Sequence, residues 1–217
     1  MTVDSNSEPD GFVSLKQGLK DPDAIADYYD QWAVSYDQTL ATWDYAAPGE
    51  AAALIVPHLV SEATILDVGC GTGLVSEALG KHGSFHIHGI DLSEVSLKQA
   101  EARGTYDQLL CHNMDNLPLP LGLDAYDAAL SVGVLTYIED AEPLLRDLCR
   151  CVRSGGVITF TQRTDLWEKR DFAALIEEFA VQNLWTVLHT SEPRSYLPGH
   201  EDFTDEIKVI HTLCRVV

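Results

Sequence analysis

The chain has 217 residues, with 34 acidic and 14 basic side chains and a formal net charge of −20. Its length suits one domain with a sizeable core. We therefore expect a single domain over residues 21–217, preceded by a flexible polar tail over residues 1–20. The start of the chain lacks a signal-peptide pattern, and no stretch approaches the ~18 apolar residues of a membrane span. We expect a cytoplasmic protein that does not bind membranes.

The charge is unevenly distributed along the chain. No Lys or Arg occurs between residues 21 and 80, whereas ten Asp or Glu do. Such a surface repels phosphate backbones, so we expect no nucleic acid as a partner. It favours neutral or cationic small molecules on encounter, although solubility alone is the simpler interpretation of the charge.

The five cysteines are odd in number and form no C-x-x-C pair, which predicts free thiols in a reducing compartment. Cys70 lies in a glycine-rich stretch, where a compact, unreactive side chain is a simpler interpretation than a nucleophile. The histidines and acids show no metal-ligand spacing, so no metal is predicted. We expect a monomer or a homodimer.

The first predicted element is an aromatic helix. Asp21 and Pro22 provide a cap and a proline for its first turn. One helical face carries Ile25, Tyr28, Tyr29, Trp32, Ala33 and Tyr36. Such a stripe usually packs into a core. The alternative is a lid over a ligand, with tyrosine hydroxyls as polar contacts, and we predict this lid over about residues 21–45.

A second helix is predicted from Gly49 to Val60, and the stretch from Ile65 to Leu74 follows it. The apolar residues of that stretch indicate a buried strand, which Gly69, Gly71 and Gly73 end before a helical pattern starts. Glycine tolerates positive φ and lets backbone N–H groups approach a ligand. A helix start favours a carboxylate or a phosphate, so this glycine loop is a candidate binding site.

Two acids accompany the glycine loop. Asp67 precedes the glycines in the spacing D-x-G-x-G-x-G, which differs from the G-x-G-x-x-G of dinucleotide-binding loops. Asp91 ends the next predicted strand, 20 residues after Gly71, and Leu92 follows it. A carboxylate in that position can accept hydrogen bonds from both hydroxyls of a ribose. The loop and Asp91 together predict a bound ligand rather than a simple tight turn.

Helices and strands continue to alternate in the rest of the chain. Ser93 and Asp140 are predicted to cap helices, and Gly104 to stop the first of these. Further strands are predicted at residues 109–111, 126–132 and 185–190, at 157–161 after a turn at Gly155-Gly156, and at 207–217. A further helix is predicted over residues 172–179. The strand at 207–217 is expected to pair in a final hairpin.

The leading acid and the glycine spacing resemble the first motif of class I S-adenosylmethionine-dependent methyltransferases. The segment from Tyr29 to Gln38, Y-D-Q-W-A-V-S-Y-D-Q, is similar to one in the methyltransferase-like family named for the Williams–Beuren syndrome region. The loop I-L-D-V-G/A-C-G-T-G-L-V of that family is matched from Ile65 to Val75, and shorter matches follow at residues 88–91, 126–128 and 161–164. The resemblance covers roughly residues 25–165.

This resemblance implies a fold and a cofactor. The fold is α/β, a Rossmann-like sheet of seven mostly parallel strands with helices on both faces and an antiparallel last strand. The cofactor is S-adenosylmethionine, with S-adenosylhomocysteine as product. The predicted cofactor-binding residues are Tyr29, Tyr36, Asp67, Gly69, Cys70, Gly71, Asp91, Leu92, Met114, Asp115 and Ser131.

Individual roles follow from the expected position of each residue. Met114 can pack on the adenine ring and Asp115 can accept from its amino group, although Asp115 as a turn former is an alternative. Substrate-side candidates are Trp32, Tyr137, Arg163 and His200. The alternative for Arg163 is a structural ion pair with nearby carboxylates, and for His200 an exposed position without a role.

The chemistry expected of such a site is methyl transfer from an already activated cofactor, for which the protein supplies alignment and a dry site. An oxygen acceptor usually needs a base, whereas nitrogen or sulfur does not. No convincing Lys–Glu or His–Asp pair is evident, so N- or S-methylation of a small molecule is predicted. The alternatives are a non-catalytic S-adenosylmethionine-binding module and a nicotinamide-dependent oxidoreductase.

Overall fold

The computed structural model describes residues 37–200 and 207–217. Most of the predicted tail and lid, with Tyr29, Trp32 and Tyr36, lies outside the described residues. Residues 37–42 are helical. The helices that follow are α1 (Ala47–Ile55), continued by a 3₁₀ turn (Val56–His58), α2 (Leu74–Gly80), α3 (Glu94–Arg103), α4 (Ala141–Cys151), α5 (Thr164–Lys169) and α6 (Phe172–Val181). The strands are β1 (Thr64–Val68), β2 (His86–Asp91), β3 (Gln108–Cys111), β4 (Tyr126–Ser131), β5 (Val152–Arg163), β6 (Trp185–Thr190), β7 (Arg194–Ser195) and β8 (Lys208–Val216).

The strands form one sheet in the order β3-β2-β1-β4-β5-β8-β6, with the short β7 also paired to β8. The first five strands are parallel to one another, and β8 is antiparallel to β5, β6 and β7. The predicted Rossmann-like, mostly parallel sheet with an antiparallel last strand is therefore confirmed, with eight described strands rather than seven because the two-residue β7 also pairs with β8. The expectation of a final hairpin was incomplete, because β8 also pairs with β5 along its other side.

The sheet separates two apolar clusters, because successive side chains of a strand point to opposite faces. On β4, Ala128 and Leu130 belong to the cluster that includes buried residues of α1 and α2. Ala129 belongs to the cluster on the other face, with residues of α4 and α6. Strands buried on both faces explain the continuous apolar runs in the sequence. Polar side chains that bind a ligand are expected at the carboxyl ends of these strands.

The caps of two helices agree with the sequence. The Ser93 hydroxyl accepts a hydrogen bond from the Ser96 N–H at 3.0 Å, and Gly104 ends α3 in a left-handed conformation. The Asp140 carboxylate accepts from the Glu142 N–H at 3.1 Å at the start of α4. Each cap satisfies a backbone donor that the first turn leaves unpaired.

The bounds of α1 differ from the prediction. The helix begins at Ala47, before the predicted Gly49, because Pro48 suits a first turn that needs no N–H donor. It ends at Ile55 and gives way to a 3₁₀ turn that contains Pro57, so the predicted extension to residue 60 was wrong. Near a proline, the missing N–H donor determines where a helix begins and ends, and the spacing of apolar residues does not.

The start of β5 also differs from the prediction. The strand begins at Val152 rather than Val157, and the predicted turn at Gly155-Gly156 is an irregular part of it. The pairing with β4 shifts register there, and Gly155 has a φ of +79°. No helix within the described ranges is both long and apolar enough to cross a bilayer.

Candidate active site

A cleft of about 830 Å³, counting its open mouth, lies at the carboxyl ends of β1, β2 and β4. The order of the strands reverses at β1, with β2 on one side and β4 on the other. Ligands of open α/β sheets bind at such a reversal. Seven predicted site residues line the cleft, namely Gly69, Gly71, Asp91, Leu92, Met114, Asp115 and Tyr137.

The glycine loop lets the backbone pass close to its neighbours, but its N–H groups at Gly69 and Cys70 already bond within the protein. Gly69 and Gly71 have φ values of +69° and +52°. A Cβ on Gly69 would lie 2.2 Å from a Val134 methyl carbon, whereas one on Gly71 would meet nothing within 4 Å. The N–H groups of Gly69 and Cys70 donate to the Ile90 carbonyl at 2.7 and 3.1 Å. These two donors are already used, contrary to the expectation that the loop would offer N–H groups to a ligand.

Asp91 connects the loop to the helix after β2. One carboxylate oxygen accepts from the Gly71 N–H at 2.8 Å, and the other accepts from the Ser93 N–H at 2.9 Å. An ionised carboxylate has about four acceptor positions. Asp91 lines the cleft, so its carboxylate lies where the sequence predicts an acceptor for ribose hydroxyls.

Asp67 and Cys70 lie behind the glycine loop and not on the cleft. The Tyr106 hydroxyl donates to the Asp67 carboxylate at 2.6 Å, and Asp67 is only 1% exposed. Burial, opposed by this hydrogen bond, raises the pKa of Asp67 to about 7. Burial also raises the pKa of the Cys70 thiol far above its usual value, which supports the interpretation of an unreactive side chain.

Arg103, at the end of α3, bonds to the glycine loop and to two carboxylates. Its Nε donates to the Thr72 carbonyl at 2.5 Å, and its two terminal nitrogens pair with Asp37 and Glu77. The Thr72 hydroxyl also donates to Asp37 at 2.5 Å. Asp37 belongs to the segment that the sequence predicts as a lid, so this cluster connects that segment to the glycine loop.

The segment after β3 supplies Met114 and Asp115. The Asp115 N–H donates to the Asn113 side-chain oxygen at 2.9 Å, so Asn113 rather than Asp115 forms the turn. Asp115 itself is exposed at the cleft, and the nearly buried Met114 lies beside it. This placement is compatible with the predicted contacts to an adenine.

Three tyrosines also line the cleft. Tyr45 and Tyr196 join the predicted Tyr137, and the rings of Tyr45 and Tyr196 meet edge to face at 5.7 Å. Gly133, with a φ of +77°, lies beneath them, and a Cβ there would come within 3.0 Å of the Tyr45 hydroxyl. Sequence reasoning missed Tyr45 and Tyr196, because both lie in loops without a motif and 151 positions separate them.

The remaining predicted site residues that the structure describes do not line the cleft. Ser131 is fully buried, and its hydroxyl finds no hydrogen-bond partner among the described residues. Arg163 is 3% exposed and pairs with Asp165 at 2.7 Å, as its structural alternative predicted. His200 is 8% exposed and packs edge to face on Trp43 at 4.4 Å, so the expectation of an exposed histidine was wrong.

An acid–histidine pair, in which the histidine is buried and the acid half-buried, was also missed. His211 on β8 lies 3.0 Å from the Glu50 carboxylate on α1, and Arg194 donates to the same carboxylate at 3.0 Å. Burial lowers the pKa of His211, which favours the neutral ring. The two partners are 161 positions apart in the sequence, so no local spacing could reveal them. Neither lines the cleft, and within the described residues no cluster of three or more metal-ligating side chains occurs.

Comparisons with known proteins agree with this geometry. Residues 66–160 match the methyltransferase domain family. The chain is 34% identical over 179 residues to methyltransferase-like protein 27 of Homo sapiens, covering 80% of this chain and 73% of that protein. It is 30% identical over 101 residues to a ubiquinone biosynthesis O-methyltransferase of Coxiella burnetii, covering 45% of this chain and 42% of that protein.

A solved structure shows the same fold. The crystal structure of an S-adenosylmethionine-dependent methyltransferase from Mesorhizobium loti matches with a TM-score of 0.62 at 20% identity. The match covers 80% of this chain and 99% of that one. At this identity the likeness concerns the architecture of the sheet and its helices.

Proposed function

The chain belongs to the class I S-adenosylmethionine-dependent methyltransferases, and we propose that its cleft directs methyl transfer to the nitrogen or sulfur of a small molecule. S-adenosylmethionine is the cofactor and S-adenosylhomocysteine the product. When bound, the cofactor supplies a methyl group already activated on a positively charged sulfur. The protein therefore has to bind, orient and exclude water.

The residues of the cleft fit this cofactor. Asp91 brings a carboxylate to the cleft for ribose hydroxyls, Met114 offers a thioether for the adenine face, and Asp115 offers an exposed carboxylate. Gly71 leaves open space where a side chain would otherwise stand. Gly69, Cys70 and Gly71 have N–H groups engaged within the protein, which disfavours a pyrophosphate and hence the nicotinamide-dependent alternative.

The observation that carries the choice of acceptor atom is the composition of the cleft. Among the described residues that line it, the ionisable side chains are Asp91, Asp115 and three tyrosines. Both carboxylates lie at the predicted ribose and adenine end. An oxygen acceptor usually needs a base near its hydroxyl, and no lysine or histidine lines the described cleft. Nitrogen and sulfur acceptors carry their own reactive lone pair.

Two further facts bear on the choice of acceptor atom, one from a relative and one from the structure. The O-methyltransferase of Coxiella burnetii aligns with only 45% of this chain, so its acceptor atom does not transfer. The Glu50–His211 pair does not line the cleft, although Glu50 and Tyr45 both line a neighbouring pocket. Sulfur and nitrogen therefore remain the proposed acceptors.

Calorimetry and labelled methyl transfer test the proposal together. The protein should bind S-adenosylmethionine and S-adenosylhomocysteine and not NADH. With methyl-labelled cofactor and a metabolite extract, mass spectrometry should find the label on nitrogen or sulfur. Label on oxygen would overturn the choice of atom, and cofactor binding without transfer to any acceptor would favour the non-catalytic module.

The acidic surface supports a further part of the proposal, namely that DNA and RNA are not acceptors. A chain with a net charge of −20 repels a phosphate backbone. Titration with a single-stranded RNA and with a duplex DNA at low salt should show no binding at micromolar concentrations. Micromolar binding that weakens with added salt would contradict this interpretation.

A further inference from the structure

We propose that the methyl acceptor is a small organic amine and that Tyr45, Tyr137 and Tyr196, here called the tyrosine cage, form its binding site. This inference rests on the methyltransferase function proposed above and narrows its substrate class. All three tyrosines line the cleft, and the hydroxyls of Tyr45 and Tyr196 lie over Gly133, just after the carboxyl end of β4.

The first support is the geometry of the cage. The rings of Tyr45 and Tyr196 stand nearly perpendicular, at 88°, with centroids 5.7 Å apart. Their hydroxyl oxygens converge above Gly133, where a Cβ would lie 3.0 Å from one and 3.8 Å from the other. The two phenol oxygens border the space above Gly133 and can accept hydrogen bonds from amine N–H groups, and the three aromatic rings on the cleft can supply π surface to a compact cation.

The second support is the charge around the cage. The described residues that line the cleft include two carboxylates and no cationic side chain. Arg163 pairs with Asp165 and Arg194 with Glu50, and Arg170 donates to the Leu135 and Ile138 carbonyls at 2.8 Å, so these neighbouring arginines are already engaged. A thiolate would therefore find no positive partner along the described cleft, whereas a cationic amine finds aromatic faces and a negatively charged protein. This difference favours nitrogen over sulfur.

The third support is the chemistry of the phenols. Burial raises the pKa of Tyr196 well above its usual value, so its hydroxyl stays neutral and is a poor source of a phenolate base. The acceptor atom must therefore react through a lone pair that needs no base from Tyr196. An ammonium first releases a proton to bulk water, and its nitrogen lone pair then forms the N–CH₃ bond as the S–CH₃ bond breaks. The bond pair remains on sulfur, and the positive charge moves to nitrogen within the cage.

The test uses the full-length protein saturated with S-adenosylhomocysteine. Tetramethylammonium ion and the neutral tert-butanol, which have similar shapes, are titrated separately and followed by ligand-observed NMR. We expect saturable binding of tetramethylammonium and at least ten-fold weaker binding of tert-butanol. Tyr196→Phe and Tyr137→Phe retain the rings and should stay within about two-fold, whereas Tyr196→Leu and Tyr137→Leu should weaken binding about 5- to 30-fold.

The S-adenosylhomocysteine affinity of each variant reports on folding and on the cofactor site. Unchanged cofactor affinity with equal binding of both probes would overturn the cage, as would equal losses in the Phe and Leu variants. Labelled methyl transfer to thiols rather than amines would also overturn it while leaving the methyltransferase function intact. A protein that binds neither form of the cofactor would instead contradict the proposed function.

Discussion

Replacing Asp91 with Asn tests how the cofactor end of the cleft works. The substitution keeps the shape of the side chain and removes its charge. In the structure the carboxylate accepts from the Gly71 N–H at 2.8 Å and the Ser93 N–H at 2.9 Å, one on each oxygen. An Asn side chain has one acceptor oxygen, so its NH₂ group would face one of these backbone donors.

The expected magnitudes follow from these contacts. Hydrogen bonds to charged groups contribute about 1.5–3 kcal/mol and neutral ones about 0.5–1.5 kcal/mol. Asp91→Asn should therefore weaken two ribose contacts by about 1 kcal/mol each, or roughly 30-fold in affinity for S-adenosylhomocysteine. The lost backbone acceptor should also lower the free energy of unfolding by about 1–3 kcal/mol.

Calorimetry with S-adenosylhomocysteine measures the first effect and urea unfolding the second. Asp115→Asn is the matched control, because it makes the same charge change in the same cleft and leaves an oxygen that can accept from an adenine amine. We expect the control to lose less than about three-fold in affinity. An equal loss in both variants would show that net charge, and not the position of Asp91, controls binding.

Three other predictions concern the glycine loop and the lid. Burial raises the pKa of Asp67 from 3.8 to about 7, so the folded state binds this proton more tightly and loses up to about 4 kcal/mol of stability as pH rises from 4 to 7; urea unfolding should show that Asp67→Asn removes this fall, and an unchanged pH profile would refute it. Gly69→Ala should lower the Tm more than Gly71→Ala, because both have positive φ but only Gly69 would meet Val134, and equal shifts would contradict this. Amide exchange across residues 24–40 should slow on addition of S-adenosylhomocysteine while β1 barely changes; equal protection in both states would remove support for a lid.

The fold and the cofactor end of the cleft could be predicted because their signals are local. The glycine loop and the helix caps each depend on residues within a few positions of one another, and Asp91 stands at the end of the next predicted strand, 20 residues after Gly71. The cofactor residues on the cleft, such as Met114 and Asp115, follow strand ends that the apolar pattern already marks. Because short sequence patterns determine these contacts, they can be inferred from the sequence.

The substrate end could not be predicted in the same way. Tyr45 and Tyr196 meet only because β7 and the loop after it return to the sheet beside the start of α1. Glu50 and His211 meet through the pairing of β8 with β5. The predicted Arg163 and His200 are buried against their neighbours instead. Such contacts depend on the order of strands, which single residues do not encode.

The place of β8 in the sheet has a consequence for how the chain folds during its synthesis. Within the described sheet, β6 and β7 pair only with β8, and β8 also covers the free edge of β5. All three neighbours are synthesised before β8. Until Val216 leaves the ribosome, β5 and β6 therefore have unpaired backbone edges of the kind that attract other chains. A chain interrupted before Lys208 would lose β8 and, with it, the attachment of β6 and β7.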